Sequence, residues 1–100
     1  MKYTIMFRHK ALEDYDGARH YYEQTSFETK EKFEKAISEG LDKISLNPDG
    51  FGFRFDDVRA FSLKKFPYLI CYRVNDVSKI ATVIAVWHQK RDNKTLKRRY

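Results

Sequence analysis

FPYLICYRVNDVSKIATVIAVWHQKRD, residues 66–92, contains two strands in succession. Tyr68 to Val74 carries one charge, Arg73, and Ile80 to Val86 carries none. Runs this apolar are expected of strands covered on both faces, at the centre of a sheet. Phe66-Pro67 punctuates the start, because proline cannot donate to a strand ladder, and Asn75-Asp76 opens the connection between the two. That connection is too short for a crossover helix, so the strands pair antiparallel. A further strand from about Val58 to Leu63 lies upstream, and the three make an antiparallel meander.

Toward the N-terminus the period changes. In KYTIMFR, residues 2–8, Tyr3, Ile5 and Phe7 alternate as in a half-buried strand. From Ala11 to about Gln24, Ala11, Tyr15, Ala18 and Tyr22 recur at helical spacing, with Gly17 inside costing about 1 kcal/mol against alanine. Thr25 and Glu28 have the spacing of a capping box for a second helix, whose inner stripe is Phe33, Ile37, Leu41 and Ile44 and which Asn47-Pro48 stops. After the turn Asn47-Pro48-Asp49-Gly50, Phe51, Phe53 and Phe55 alternate in an edge strand or extended loop. The fold class expected is α+β: one strand, a two-helix hairpin, then the meander, with the hairpin on a twisted sheet of about four strands. Residues 1–100 make a single domain, of which 89–100 are a basic C-terminal tail with Asp92 placed to cap one short helical turn.

The net charge of +6 is unevenly spread. Residues 1–58 hold nine basic against twelve acidic residues, whereas 59–100 hold eleven basic residues and only Asp76 and Asp92 as acids. Positive charge concentrated on the sheet-forming half points to a polyanion or an acidic partner. Cys71, the one cysteine, excludes an internal disulfide and is expected to be a buried, inert thiol. His9 and His20 have no cysteine or third histidine at ligand spacing, so neither a metal nor another cofactor is expected, and no small-molecule substrate. The opening residues alternate instead of forming a signal-peptide core and no run reaches a membrane span, so a cytoplasmic protein is expected.

The junctions are more specific than the element order. ALEDYDGARHYYEQ, a second helix ending in Asn-Pro, RAFSLKKFPYLICYRV and IAVWHQKRD together resemble the RelE/ParE superfamily of bacterial type II toxin–antitoxin toxins. The resemblance runs from Tyr3 to about Arg98, and its most specific pieces are Phe66-Pro67-Tyr68, Tyr72-Arg73-Val74 and Ala85-Val86-Trp87-His88 followed by Arg91-Asp92. It implies a growth-inhibiting toxin neutralised by a cognate antitoxin. RelE-like members are ribosome-dependent endoribonucleases that cut mRNA; ParE-like members inhibit DNA gyrase without nuclease chemistry. A third reading is a relic that still binds its antitoxin but inhibits nothing.

Metal-independent RNA cleavage needs proton transfer at the 2′-hydroxyl and leaving oxygen, and cations on the phosphate. His88 and Arg91 are the catalytic candidates, His88 because its unperturbed pKa lies near neutrality. Arg59, Lys64, Lys65, Arg73 and Lys90 are the candidate contacts to nucleic acid or target, and Phe51, Phe53 and Phe55 those to the antitoxin. The ribonuclease branch sets an arginine just after the aromatic that opens the central strand, paired basic residues on the preceding strand, and a tyrosine near the C-terminus. Here those places hold Leu69, Ala60 and Ser62, with Tyr100 at the extreme end. Strict alternation places Ile80, Thr82, Ile84, Val86 and His88 on one side of the last strand and Ala81, Val83, Ala85 and Trp87 on the other.

Overall fold

The computed structural model describes residues 2–99. Strand β1 (Thr4–Phe7) leads into α1 (His9–Thr25) and α2 (Phe27–Leu46), and a 3-10 turn at Pro48–Gly50 precedes β2 (Phe53–Phe55), β3 (Val58–Ser62), β4 (Tyr68–Asn75) and β5 (Ile80–His88). A short helix, α3 (Asn93–Lys97), follows. The sheet has five strands in the order β1-β5-β4-β3-β2, with β1 parallel to β5 and every other pair antiparallel. The expected sheet gains one strand, because the Phe53 to Phe55 segment pairs with β3 along the edge.

The helix hairpin covers one face. Ala11 and Ala18 of α1 and Phe33, Ile37 and Ile44 of α2 are buried against Ile70, Tyr72, Ala81, Val83 and Val86. Phe33 is the hub of an aromatic cluster, with ring centroids 5.0 Å from Tyr22, 5.3 Å from Phe66 and 5.6 Å from Tyr68. The turn between the helices is capped one residue later than the spacing suggests: Ser26, not Thr25, is extended, and its hydroxyl accepts from the Thr29 N–H at 3.0 Å. Thr25 is the last helical residue of α1 and cannot also supply the extended backbone a cap requires. Glu28 instead pairs with Lys32 at 3.2 Å on the exposed surface.

The opposite face is also covered. Val58, Leu69, Cys71, Ile84, Ala85 and Trp87 form a second apolar cluster, closed by Leu96 of α3. Asp92 caps that helix, accepting from the Lys94 N–H at 2.8 Å. The basic tail is therefore a folded element over the sheet as far as Arg99, whereas Tyr100 lies outside the described residues.

Alternation along β5 breaks at one point. Cys71 pairs with Ala85 but Tyr72 pairs with Val83, which leaves Ile84 as the extra residue of a β-bulge. Ile84 and Ala85 both enter the second cluster, and Val83 and Val86 both enter the first. Ile84 keeps the side of Thr82, whereas the expected grouping of Val86 and His88 with them, and of Ala85 and Trp87 with Ala81 and Val83, is overturned, because every residue after the bulge has changed sides. The bulge falls where β1 ends, and other groups satisfy the free edge of β5 there: Arg8 N–H donates to Val83 O at 3.0 Å, and Val86 N–H donates to Asp14 Oδ2 at 3.1 Å.

Candidate functional site

His88 ends β5 directly opposite Tyr68, which begins β4, and their rings meet edge-on at 5.2 Å. Pro67 fixes the corner by accepting from the Gln89 N–H at 2.9 Å. His88 Nδ1 accepts from the Lys90 N–H at 3.1 Å, so in the neutral ring Nε2 carries the hydrogen. That tautomer donates a hydrogen bond; it offers no free lone pair at Nε2 to take a proton from a hydroxyl. Burial raises the pKa of the Tyr68 phenol, so it stays protonated at neutral pH and is no phenolate base.

Lys64 and Lys65 are exposed in the β3–β4 connection and Lys90 just past β5, so all three belong to the end of the sheet that carries His88. Arg91 lies over the Trp87 ring at 4.0 Å, and Arg99 lies over the same ring at 4.9 Å. Trp87 itself is fully buried. Cation–π contact holds both guanidiniums to the α3 side of the sheet.

The other two arginines are elsewhere. Arg73 pairs in register with Thr82 and meets Asp57 at 3.2 Å. It is five residues along β4 from Tyr68, hence about 17 Å at the usual rise per strand residue, and on the opposite face. Arg59 shares the hairpin side with Tyr72, its register partner, and binds the turn: it donates to Phe51 O at 2.6 Å and Asp49 O at 3.2 Å, and its guanidinium lies 4.0 Å over Phe53. Tyr72 completes this clamp, its buried hydroxyl donating to Pro48 O at 2.6 Å. His88, Lys64, Lys65 and Lys90 thus form one group, whereas Arg59 and Arg73 do not join it.

The place where the ribonuclease pattern sets an arginine is filled with hydrocarbon. Leu69 is 3% exposed and pairs with Trp87, in the cluster that Leu96 covers. The sulfur of Cys71 in the same cluster is equally sealed, its thiol pushed up to about 12 chiefly by burial. No phosphate can reach this part of the sheet without displacing α3. Among the described residues, no group of three or more His, Cys, Asp and Glu is placed to hold a metal, and no helix is long and apolar enough to cross a membrane.

Of the antitoxin candidates, Phe53 is 60% exposed on the edge strand. Phe51 is half-buried against Phe61, ring centroids 5.0 Å apart, and Phe55 is half-buried on the second cluster. One group escaped the sequence reading. Lys32, Lys35 and Lys43 of α2 line a groove together with Lys64 and Lys65. Their signal was the recurrence of Lys32, Ala36, Glu39 and Lys43 at helical spacing beside the buried stripe.

The architecture is thus a helix hairpin on one face of a mixed five-stranded sheet, with a short basic C-terminal helix on the other. Residues 5–93 match the family described as the ParE toxin of type II toxin–antitoxin system, parDE, and the chain belongs to that family. No curated protein gives a significant match. Among solved structures, a chain of the chromosomal ParDE system from P. aeruginosa is similar with a TM-score of 0.72 at 20% identity, covering 87% of this chain and 96% of its own. An arginine double mutant of free E. coli RelE has a TM-score of 0.65 at 19% identity, covering 98% of both chains. The RelBE toxin–antitoxin complex from Mycobacterium tuberculosis has 0.63 at 17%, covering 91% and 95%. Similarity to both kinds of toxin at such identities defines the fold and leaves the target to the residues.

Proposed function

We propose that the chain is a growth-inhibiting toxin that binds DNA gyrase and does not cut RNA, and that a cognate antitoxin neutralises it. The observation that carries this reading is the apolar triad Leu69, Trp87 and Leu96, which seals the position where the ribonuclease pattern sets an arginine. The rest of the site agrees: His88 presents a donor instead of a base, and Arg73 is too distant to serve the same phosphate. Family membership favours the ParE-like branch, for which the resemblance implies gyrase as target. In this reading His88, Lys64, Lys65, Lys90 and Arg91 are target contacts, Arg59 holds the turn that presents Phe53, and Phe53 on the free edge of β2 contacts the antitoxin. A gyrase supercoiling assay run beside cell-free translation tests the reading: cleaved DNA should accumulate while mRNA stays intact.

A further inference from the structure

Arg73 stands apart from the His88 group, in a setting of its own. A pocket of about 360 Å³ opens on the sheet face whose other end α3 covers, lined by Arg8, Arg73, Val74, Asn75, Asp76 and Thr82. Thr82 is its floor. The neighbour of Thr82 on β4 is Arg73, and its neighbour on β1 is Met6, two residues before Arg8 along an extended backbone and so on the same side. Two arginines therefore flank one hydroxyl from opposite strands, their Cα atoms about 5 and 8 Å from that of Thr82 at ordinary strand spacings. The lining is rich in donors. The Arg8 side chain has no hydrogen bond or ion pair among the described residues, and Asp57 holds Arg73 in place at 3.2 Å. Asn75 Oδ1 accepts from the Val77 and Ser78 N–H groups, each at 3.0 Å, which leaves its amide nitrogen as a donor. Asp76 is the one acid lining the pocket, and the Tyr3 hydroxyl donates to it at 2.8 Å.

We propose, independently of whether gyrase is the target, that this pocket holds a backbone phosphate of a nucleic-acid strand. Two arginines against one aspartate leave the lining with a single net positive charge, the match of one phosphodiester. Direction of approach separates phosphate from carboxylate. The guanidiniums come from two sides and the Thr82 hydroxyl from beneath, which suits the tetrahedral oxygens of a phosphate, whereas a carboxylate accepts close to its own plane. None of the described residues lining the pocket is aromatic, so a base has nothing to stack on and the recognised group is the backbone.

The test is an NMR titration of the isotope-labelled protein with a short DNA duplex, AMP and inorganic phosphate, following the Arg8 and Arg73 side-chain N–H groups and the Thr82 amide. The duplex should shift all three signals saturably and bind about tenfold tighter than AMP, because a polymer also releases its counterions. Arg8→Gln/Arg73→Gln should weaken duplex binding by about tenfold and lower the slope of log affinity against log salt by about 0.9, the loss of one neutralised phosphate. Thr82→Val keeps charge and shape and should weaken binding about threefold through the lost hydroxyl. The melting temperature should hold in both variants, since the Arg73 pair with Asp57 lies at the surface. Shifts confined to Lys64, Lys65 and Lys90, or no shift with any probe, would overturn the pocket as a phosphate site. Equal affinity for AMP and the duplex would overturn the strand as the source of the phosphate. Duplex binding unchanged in the double variant while binding of the cognate antitoxin falls would assign the arginines to carboxylates of that protein and overturn the proposal.

Discussion

Arg99 and Asp14 close on each other across the end of β1, 85 positions apart in the chain, through a bidentate pair of 2.5 and 3.0 Å. Only 14% of the arginine side chain and 10% of the aspartate are exposed, and the same carboxylate receives the Val86 N–H beside the bulge. The pair fastens the C-terminal segment to α1 and supplies the acceptor that the shortened neighbour β1 does not. Asp14→Ala leaves a nearly buried guanidinium and an edge amide without partners, and should cost about 3 kcal/mol in urea unfolding. Faster hydrogen exchange at the Val86 amide should accompany it; an effect below about 0.5 kcal/mol would mean that water replaces the pair.

Tyr72 makes stability sensitive to alkali. Burial pushes its phenol up to about 12, above the usual 10.0 of a tyrosine, so the folded state favours the protonated form. A raised folded pKa contributes stability that is fully present below pH 10 and is lost between about pH 10 and 12, at roughly 1.4 kcal/mol per unit. Tyr72→Phe should cost about 1 kcal/mol at pH 7 through the lost bond to Pro48 and should flatten this alkaline decline. Stability of wild type and variant followed by denaturant melts from pH 8 to 11.5 checks both parts.

Two helical glycines should respond in opposite directions. At Gly17 a Cβ meets nothing within 4 Å, so Gly17→Ala should stabilise by about 0.5–1 kcal/mol through helix propensity alone. At Gly40 a Cβ would meet Phe61 at 2.9 Å and the fully buried Ile70 at 3.0 Å, so Gly40→Ala should destabilise by about 1–3 kcal/mol. Thermal melts of both variants suffice.

The Cys71 thiol, fully buried and with its pKa pushed up to about 12, should resist a thiol reagent at pH 8 until the protein unfolds. Labelling should therefore track the urea transition. Rapid labelling in the absence of urea would show that α3 and the cluster beneath it open readily.

Most of the architecture was legible because it is periodic. The four-three-four spacing of Ala11, Tyr15, Ala18 and Tyr22 marks α1, and the unbroken apolar run from Ile80 marks β5. What could not be read depends on contacts between distant elements. The bulge at Ile84 arises where β1 stops beside β5, and no local residue pattern announces it. Arg59 reads from sequence as a contact to nucleic acid or target because its acceptors, the Asp49 and Phe51 carbonyls, are not displayed by composition. For the site, the missing arginine at Leu69 was visible as a departure from pattern, but only the docking of Leu96 shows that the position is sealed. The cationic groove joins lysines from α2 to two from the β3–β4 connection, a juxtaposition only the fold creates.

Binding without cutting is tested most directly by adding the purified toxin, in parallel, to gyrase with relaxed plasmid and ATP and to a cell-free translation reaction read by primer extension. The structure predicts inhibited supercoiling and accumulation of cleaved DNA, with full-length mRNA at the same toxin concentration. New mRNA ends that depend on ribosomes, with supercoiling unaffected, would contradict it and would mean that α3 lifts from Leu69 and Trp87 to admit a phosphate.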